Sequence, residues 1–241
     1  MTHFPLWIAT RQILHFLYPP YCLVCRNTRA QDRVVCGACA ENMDALEWSL
    51  DWSRNYLSRH SLEDVLDAVF IAFEYRPGTS IPTLIYDLKY RGLKNVGPWL
   101  GRRLGRRLAV TPLLDLEPAL VPVPLHARKK RERGYNQSLL ICRGLSEVTG
   151  LKIDGGLIFR NRYTRSQAAE QLTAVERRRN VKNAFSLYRD GHIPPSVALV
   201  DDIITTGSTI GECAKVLKEA GVTRVAALAV ASPLGGNQAG V

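Results

Sequence analysis

The chain has 241 residues, of which 46% are hydrophobic and 8% aromatic, so it can bury a sizeable core and is not expected to be disordered. Its formal net charge of +10 and its pI of about 9.5 favour polyanionic partners, which include pyrophosphate-bearing metabolites, nucleic acid and acidic membrane surfaces. The net charge alone does not distinguish among these three classes of partner.

The first predicted element is an amphipathic helix in residues 1–18, where Leu6, Ile13, Leu14 and Leu17 recur at near-helical spacing. No apolar run there reaches the about 20 residues of a membrane-spanning helix. The basic start and small-residue cleavage site of a secretory peptide are also missing. A peripheral membrane anchor is the alternative, although such helices carry a strongly basic polar face. We therefore expect no transmembrane segment and a cytoplasmic location.

Four cysteines follow, Cys22, Cys25, Cys36 and Cys39, as two CxxC pairs separated by ten residues. Two such pairs can place four thiolates around one metal ion, and a closed four-sulfur site suits zinc better than an iron–sulfur cluster. Two disulfides or a redox pair are the alternatives. A reducing cytoplasm disfavours both, and no thioredoxin-like sequence surrounds either CxxC. The spacing predicts a structural zinc ribbon.

The chain after the cysteines predicts a second domain. Residues 41–61 are less periodic, and we place a linker there, between an N-terminal helix and zinc-ribbon module (1–48) and a larger domain (62–236). Beyond the linker, apolar strands alternate with helices, which predicts an α/β fold with a parallel sheet covered on both faces. The predicted strands are 67–75, 119–123, 157–162, 196–200 and 224–231, and the predicted helices are 79–91, 96–109, 135–149 and 207–220.

Three details of these helices carry predictions. Thr79 or Ser80 is expected to cap the first helix. Cys142 and Cys213 lie within helical patterns and are expected to be inert core thiols. The helix at 96–109 carries arginines opposite its leucine stripe, which form either a nucleic-acid face or a solvated polar face. No aromatic residues interleave with them, and this favours the solvated face. These arginines are Arg102, Arg103, Arg106 and Arg107.

Ligands of such sheets bind beyond the carboxyl ends of the strands, so the loop after residue 200 is of particular interest. There the acidic pair Asp201 and Asp202 precedes a hydroxyl-rich turn that opens a helix. Free backbone N–H groups, hydroxyls and the positive end of a helix attract a phosphate, Gly207 permits close approach, and the carboxylates can accept from vicinal hydroxyls. Alternatively, the acidic pair ends the strand and binds a metal, while the hydroxyls cap the helix.

Four apolar residues, two acidic residues, two apolar residues and Thr-Thr-Gly-Ser-Thr resemble the 5-phosphoribosyl 1-pyrophosphate (PRPP) signature of type I phosphoribosyltransferases. The resemblance implies a type I phosphoribosyltransferase-like sheet in which Asp201 and Asp202 hold the ribose hydroxyls and supply a catalytic proton acceptor. Residues 205–209 would wrap the 5-phosphate, and Mg²⁺ would accompany PRPP. The implied ligand-binding residues of this turn are Ile204, Thr205, Thr206, Gly207, Ser208 and Thr209.

The same resemblance assigns two further basic segments. The loop after residue 123 falls where these enzymes bind pyrophosphate, and residues 163–180 fall where they keep a basic lid. His126 in the first segment either contacts pyrophosphate or satisfies a buried loop. The implied pyrophosphate-binding residues are Pro124, Leu125, His126, Arg128 and Arg133.

The whole layout resembles the ComF (competence protein F) family, through motifs that span nearly the full length. One departure is Gln167, which stands farther from Arg177 and Asn180 than the family pattern predicts, and this affects the alignment of the lid. The matching motifs are the CxxC pairs and residues 88–92, 121–126, 133–137, 177–185 and 197–209.

The resemblance implies two classes of function. One is a magnesium-assisted transferase, in which pyrophosphate leaves the anomeric carbon and a nitrogen base adds. The other is a non-catalytic adaptor in natural transformation, which senses a nucleotide-like ligand and contacts single-stranded DNA, a helicase or other competence proteins. Family membership does not establish catalysis.

Overall fold

A computed structural model of the chain describes residues 21–27, 34–43, 45–161, 183–188 and 193–233. The chain divides into two compact units, Met1–Met43 and Asp44–Val241. The predicted N-terminal helix (1–18) and the predicted lid (163–180) lie outside the described residues. Within the described ranges, no helix is long and apolar enough to cross a membrane.

The first unit is organised around its cysteines. Residues after Cys22 form a tight turn in which the N–H of Arg26 donates to the carbonyl of Cys22 at 2.9 Å. The N–H of Leu23 donates to the carbonyl of Val34 at 2.9 Å, which joins the two cysteine segments. Helix α1 (Gly37–Glu41) begins directly after Cys36. Local backbone hydrogen bonds therefore bring the two CxxC pairs together.

The second unit alternates strands with helices, as its sequence predicts. Its helices are α2 (Leu50–His60), α3 (Ser80–Tyr90), α4 (Val96–Leu108), α5 (Ala127–Arg133), α6 (Gln137–Thr149) and α7 (Ser208–Glu219), with a 3-10 turn at Pro112–Leu114. Its strands are β1 (Ala68–Glu74), β2 (Ala119–Pro122), β3 (Ile158–Arg160), β4 (Phe185–Leu187), β5 (Ser196–Ile203) and β6 (Arg224–Ser232).

Four strands form a parallel sheet in the order β1-β6-β5-β2, which confirms the predicted fold class. Helices α4 and α6 pack on one face, while α2 and α7 pack on the other with a core that includes Val69, Ile71, Val197 and Leu199. All four strands point the same way, so β2 and β5 end at the same edge of the sheet. The segments that follow these two strands therefore lie side by side.

The alternating pattern predicted that residues 157–162 would add a strand to the parallel sheet, but they do not. Only Ile158–Arg160 is extended, and it pairs antiparallel with β4, a strand that the sequence analysis missed, to form a separate two-stranded sheet. Each of these strands has three residues. So short a segment contains too few apolar positions to reveal a period.

Residues 41–61, where the sequence analysis places the linker, contain helix α2. Ser49 caps the helix by accepting the N–H of Trp52 at 3.0 Å. Ser53 accepts the N–H of Val69 at 2.9 Å, and the indole N–H of Trp48 donates to the carbonyl of Val69 at 2.7 Å. The side chains of Trp48 and Ser53 thus form hydrogen bonds with backbone groups at the outer edge of β1.

Two smaller details differ from expectation. Thr79 precedes α3 but does not cap it through its side chain; its hydroxyl donates instead to the carbonyl of Arg76 at 2.8 Å. Of the arginines on α4, Arg102 pairs with Glu147 and the half-buried Arg107 donates to the carbonyl of Leu46. At least these two arginines are engaged in packing and do not form a free cationic row.

Candidate functional site

The four cysteines of the first unit form a compact cluster. Their sulfur atoms all lie within 4.8 Å of one another, and all four are free thiols. Tetrahedral zinc with Zn–S bonds of 2.3 Å would place its sulfurs about 3.8 Å apart. The sulfurs of Cys25 and Cys36 lie 3.9 Å apart, close to that value. The donor set and its spacing therefore fit a structural zinc ion, and no disulfide competes for the cysteines.

The electrostatics of the thiols also favour a cation. Burial disfavours the thiolate of Cys22, but backbone N–H groups of Cys36, Cys25 and Val24 outweigh it, so the pKa of Cys22 is lowered. Burial and the three neighbouring sulfurs raise the pKa of Cys39 to about 12. Four thiols this close do not ionise together near neutral pH unless a positive charge offsets their repulsion, and a divalent metal supplies it.

The acidic pair lies at the end of β5, which extends through Ile203 and not only to Val200 as predicted. Asp202 is buried, with its side chain 4% exposed, and its Oδ2 lies 2.8 Å from Nζ of Lys89. Burial lowers the pKa of Lys89, but the charges of Asp202 and Asp201 outweigh it and raise the pKa overall. Lys89 therefore stays charged and neutralises one of the two acids.

Asp201 is held differently. Its Oδ1 accepts the hydroxyl of Ser138 at 3.0 Å and the N–H of Asp202 at 2.9 Å. Burial and the adjacent charge of Asp202 raise the pKa of Asp201 to about 7, against the lowering effect of Lys89. Asp201 can therefore take up or release a proton near neutral pH.

The hydroxyl-rich turn follows β5 and leads into α7. Gly207 has φ of 70°, a left-handed conformation that favours glycine, and the hydroxyls of Thr206 and Ser208 lie 2.8 Å apart. The side chain of Ile204 is buried and its N–H donates to the carbonyl of Ala231 at 3.0 Å. Ile204 therefore anchors the turn from the core, while Thr205 is exposed and Thr206, Ser208 and Thr209 are half-buried.

Tyr56 and Leu62 support this turn from behind, and the sequence analysis did not foresee this role. The hydroxyl of Tyr56 donates to the carbonyl of Thr205 at 3.4 Å. A Cβ at Gly207 would lie 2.5 Å from Cδ1 of Leu62, so the leucine side chain fills the space beneath the glycine. Because α2 lies far away in sequence, its pattern offered no signal of this contact.

The segment after β2 lies beside the acidic pair, since the N–H of Val123 donates to the carbonyl of Val200 at 2.9 Å. Pro124, Leu125 and His126 are half-buried there. Nδ1 of His126 accepts the N–H of Arg128 at 3.2 Å and caps α5. Arg128 and Arg133, which the resemblance assigns to the pyrophosphate, therefore lie on a helix.

Positive groups converge on this edge of the sheet. Burial, and then the charge of Arg160, lower the pKa of both His126 and Lys129. Arg133 and Lys89 lower the pKa of Lys129 further. Arg128 is exposed and pairs with Glu132 at 2.9 Å. Cations close enough to lower the pKa of His126 and Lys129 are suited to an anion with several negative charges.

The structure also brings to the site Lys89, Ser138 and Arg160, which are not among the binding residues predicted from the sequence. Lys89 and Ser138 contact the acidic pair, and Arg160 joins the basic cluster. Lys89 belongs to the family-like motif at residues 88–92. The motif marked this segment as one to consider but did not indicate what Lys89 contacts. Ser138 and Arg160 carried no signal in the sequence.

The motif at residues 133–137 now has a structural explanation. Gly134 adopts a left-handed conformation with φ of 82° and ends α5. The hydroxyl of Tyr135 donates to the carbonyl of Leu88, next to Lys89. Asn136 donates to the carbonyl of Val123 at 3.0 Å and accepts the N–H of Ser138 at 3.0 Å. These residues join α3, β2 and α6 around the acidic pair.

Comparison with known proteins adds the following similarities. Residues 13–49 match the family described as the double zinc ribbon domain. Competence protein F of Haemophilus influenzae is 39% identical over 136 residues, which cover 53% of this chain and 58% of that protein. DNA utilization protein YhgH of Salmonella typhi is 36% identical over 161 residues, 63% of this chain and 66% of that protein.

The alignments with these two relatives span less than two thirds of their lengths. DNA utilization protein YhgH of Escherichia coli is 32% identical over 213 residues, which cover 85% of this chain and 86% of that protein. This similarity therefore extends over both compact units.

Proposed function

The chain belongs to the family of competence protein F and DNA utilization protein YhgH, and from this premise we propose that it binds PRPP at the carboxyl edge of its sheet. The observation that carries the proposal is the convergence of an acidic pair, a hydroxyl-rich turn and a basic cluster at one edge. A ribose that carries a 5-phosphate and a pyrophosphate needs these three kinds of partner. The resemblance of residues 197–209 to the PRPP signature supports the same ligand.

In this proposal each part of the site has one task. The turn from Thr205 to Thr209 receives the 5-phosphate at the start of α7. Asp201 and Asp202 accept from the ribose hydroxyls. The basic cluster around His126, Arg128, Lys129, Arg133 and Arg160 receives the pyrophosphate.

Magnesium is proposed only as part of the ligand. Lys89 already neutralises Asp202, and Asp201 has a pKa of about 7, so this acidic pair is poorly suited to hold a bare Mg²⁺ ion. Pyrophosphate oxygens bind Mg²⁺ well, so the ion would enter with PRPP. The chain's own residues would then position the ligand and balance its charge.

We also propose a reaction for the case in which the site is catalytic. The bond between the anomeric carbon and pyrophosphate breaks, and its electron pair leaves with the pyrophosphate, whose charge the basic cluster stabilises. A nitrogen base then forms a bond to that carbon, and Asp201 accepts the proton that the base releases. A protein that binds PRPP without turnover would make the same contacts with PRPP, but no nitrogen base would be present to form the new bond.

The test of the PRPP proposal is a thermal-shift titration with Mg²⁺ and PRPP. The wild type should be stabilised, because a ligand that binds only the folded state raises its stability. Asp201→Asn and Ser208→Ala should lose this shift, since they remove a ribose acceptor and a phosphate donor. Thr223→Ala, an exposed residue just before β6 at the opposite edge, is the matched control and should retain it.

Equal shifts in all four proteins would contradict the assigned site. Pyrophosphate release in the presence of a panel of nitrogen bases then separates the two forms of the proposal. Release that Asp201→Asn abolishes indicates a transferase. Binding without release indicates a sensor.

The names of the relatives favour a second proposed role, in the handling of DNA. One relative is named for competence and another for DNA utilization, and the net charge of +10 suits a polyanion. The protein should bind single-stranded DNA in a mobility-shift assay. Its affinity should fall steeply between about 50 and 200 mM salt, because phosphate contacts release counterions. Affinity that does not change with salt would oppose this role.

A further inference from the structure

Two exposed aromatic rings lie on α3, the helix that carries Lys89. Tyr86 and Tyr90 are one helical turn apart and are 52% and 67% exposed. Their ring centroids are 5.0 Å apart, with the ring planes inclined at 43°. The other side of α3 is fully occupied by the core, through Ile81, Leu84, Ile85 and Leu88. Within the described ranges of the chain, the two rings therefore form an exposed aromatic surface on α3.

An arginine lies over each ring. Cζ of Arg91 is 5.5 Å from the centroid of Tyr86, and Cζ of Arg133 is 5.7 Å from the centroid of Tyr90. We call these four side chains the tyrosine face. Each of its rings can present an aromatic surface next to a positive charge, which is the combination that binds unpaired bases and their phosphates.

Both arginines are anchored from below. Arg91 pairs with the buried carboxylate of Asp87 at 3.1 Å, and Arg133 donates to the side-chain oxygen of the buried Gln137. These contacts hold the guanidinium groups near the rings before any ligand arrives. A surface arranged in advance loses less conformational entropy on binding than a flexible one.

The tyrosine face is also continuous with the basic cluster. Lys89 lies between the two tyrosines in sequence and contacts Asp202. The charge of Arg133 acts on both Lys89 and Lys129. A row of positive charge therefore leads from the candidate PRPP site to the exposed rings.

We propose that the tyrosine face binds single-stranded DNA, with bases stacked on Tyr86 and Tyr90 and phosphates close to Arg91 and Arg133. The inference rests on the DNA-handling role proposed above and assigns it a surface. Bases of a duplex are already stacked and paired, so a duplex cannot offer them to the rings. A second copy of this chain is a poorer occupant, because a two-fold interface would place these arginines against like charges.

The experiment measures fluorescence anisotropy of a labelled oligothymidylate of about 12 nucleotides, a length within the usual range of single-strand sites. Tyr86→Ala/Tyr90→Ala should weaken binding about tenfold or more, since loss of one stacked base typically costs that much. Tyr86→Phe/Tyr90→Phe keeps both rings and should bind within about twofold of the wild type. Tyr188→Ala is the matched control, because Tyr188 is 64% exposed at the end of the separate two-stranded sheet.

Each result has a distinct meaning. If the wild type binds the oligonucleotide and the alanine variant binds it equally well, the surface is wrong while the DNA role stands. If the wild type binds duplex and single strand alike, or binds neither, the inference is overturned. Self-association that the alanine variant abolishes without a change in DNA affinity would assign the rings to a second copy. The Tyr86→Phe/Tyr90→Phe variant keeps the ring beside Arg133 and should show the wild-type thermal shift with PRPP, so failure of the PRPP site is recognised separately.

Discussion

The two neighbouring aspartates of the candidate site are held differently, since Lys89 forms an ion pair with one of them. Lys89 forms its ion pair with Asp202, whereas the hydrogen bonds to Asp201 come from neutral donors, the hydroxyl of Ser138 and a backbone N–H. Neutral donors offset burial less well than a full opposite charge does. Asp201, with a pKa of about 7, thus lies directly beside an ion pair.

Titration of Asp201 should therefore be visible in stability. Its pKa is 3.8 without perturbation and about 7 in the folded protein, so between pH 4 and 7 the folded state keeps a proton that the unfolded chain releases. Stability from this group is present below pH 4 and is lost as pH rises through 7. Asp201→Asn keeps a side-chain oxygen that accepts from Ser138, but its stability no longer falls with pH through this group.

Thermal unfolding across pH provides the measurement. The melting temperature of Asp201→Asn should match that of the wild type near pH 4 and exceed it increasingly up to about pH 8, above both pKa values. Asp64→Asn, at an exposed aspartate, should follow the wild type throughout. Parallel curves for Asp201→Asn and the wild type would contradict a raised pKa.

Helices α4 and α6 approach each other closely, and glycines make this possible. Gly97, Gly101 and Gly105 recur every four residues on α4 and form one stripe. A Cβ at Gly101 would lie 2.0 Å from the carbonyl oxygen of Ile141, and one at Gly144 on α6 would lie 1.9 Å from that of Pro98. Because α6 also carries Ser138, this close packing contributes to the position of the site.

Substitution along this stripe should give graded losses. Gly101→Ala meets backbone, which cannot move aside, so we expect a loss of about 1–3 kcal/mol of unfolding free energy. Gly105→Ala is the matched control, since its new methyl would meet side-chain atoms at 3.1 Å or more. There the gain of up to about 1 kcal/mol in helix propensity should largely offset crowding. Chemical denaturation measures both variants, and equal stabilities would refute the tight contact.

The whole molecule contains two units that are stabilised in different ways. Asp44–Val241 has a continuous hydrophobic core, which includes residues from both α2 and α7. Met1–Met43 has few buried apolar residues among those described, and its cysteine cluster is the main feature that can hold it together. A small unit of this kind usually depends on its metal for folding.

Removal of the metal should therefore affect one unit and spare the other. Cys36→Ser/Cys39→Ser should lose bound zinc, as measured by elemental analysis, because two of four ligands are gone. The main calorimetric unfolding transition, which belongs to the larger core, should persist. Cys142→Ser, at a buried cysteine outside the cluster, should retain zinc. Full zinc content in the double variant would disprove the assigned ligands.

Local pattern was enough to predict the four parallel strands, most of the helices and the cysteine cluster. Apolar periodicity is a property of neighbouring residues, and a CxxC pair binds metal through its own short turn. The acidic pair and the hydroxyl-rich turn were also recognisable, since all their residues follow one strand. The three-residue strand β4 and the helix α2 were missed, because their apolar positions are few or their polar residues serve distant partners. Residues 157–162 were predicted as a strand, but in the parallel sheet and not paired with β4.

The partners of the acidic pair depend on how the chain folds back on itself. Lys89, Ser138 and Arg160 are far from Asp201 in sequence, and they approach the acidic pair only because the strands assemble in the order β1-β6-β5-β2 with helices across both faces. The same packing raises the pKa of Asp201, a property that no stretch of sequence displays. Residue types record which groups are available, but charge interactions depend on distances in space, and those are set by packing between segments that are remote along the chain.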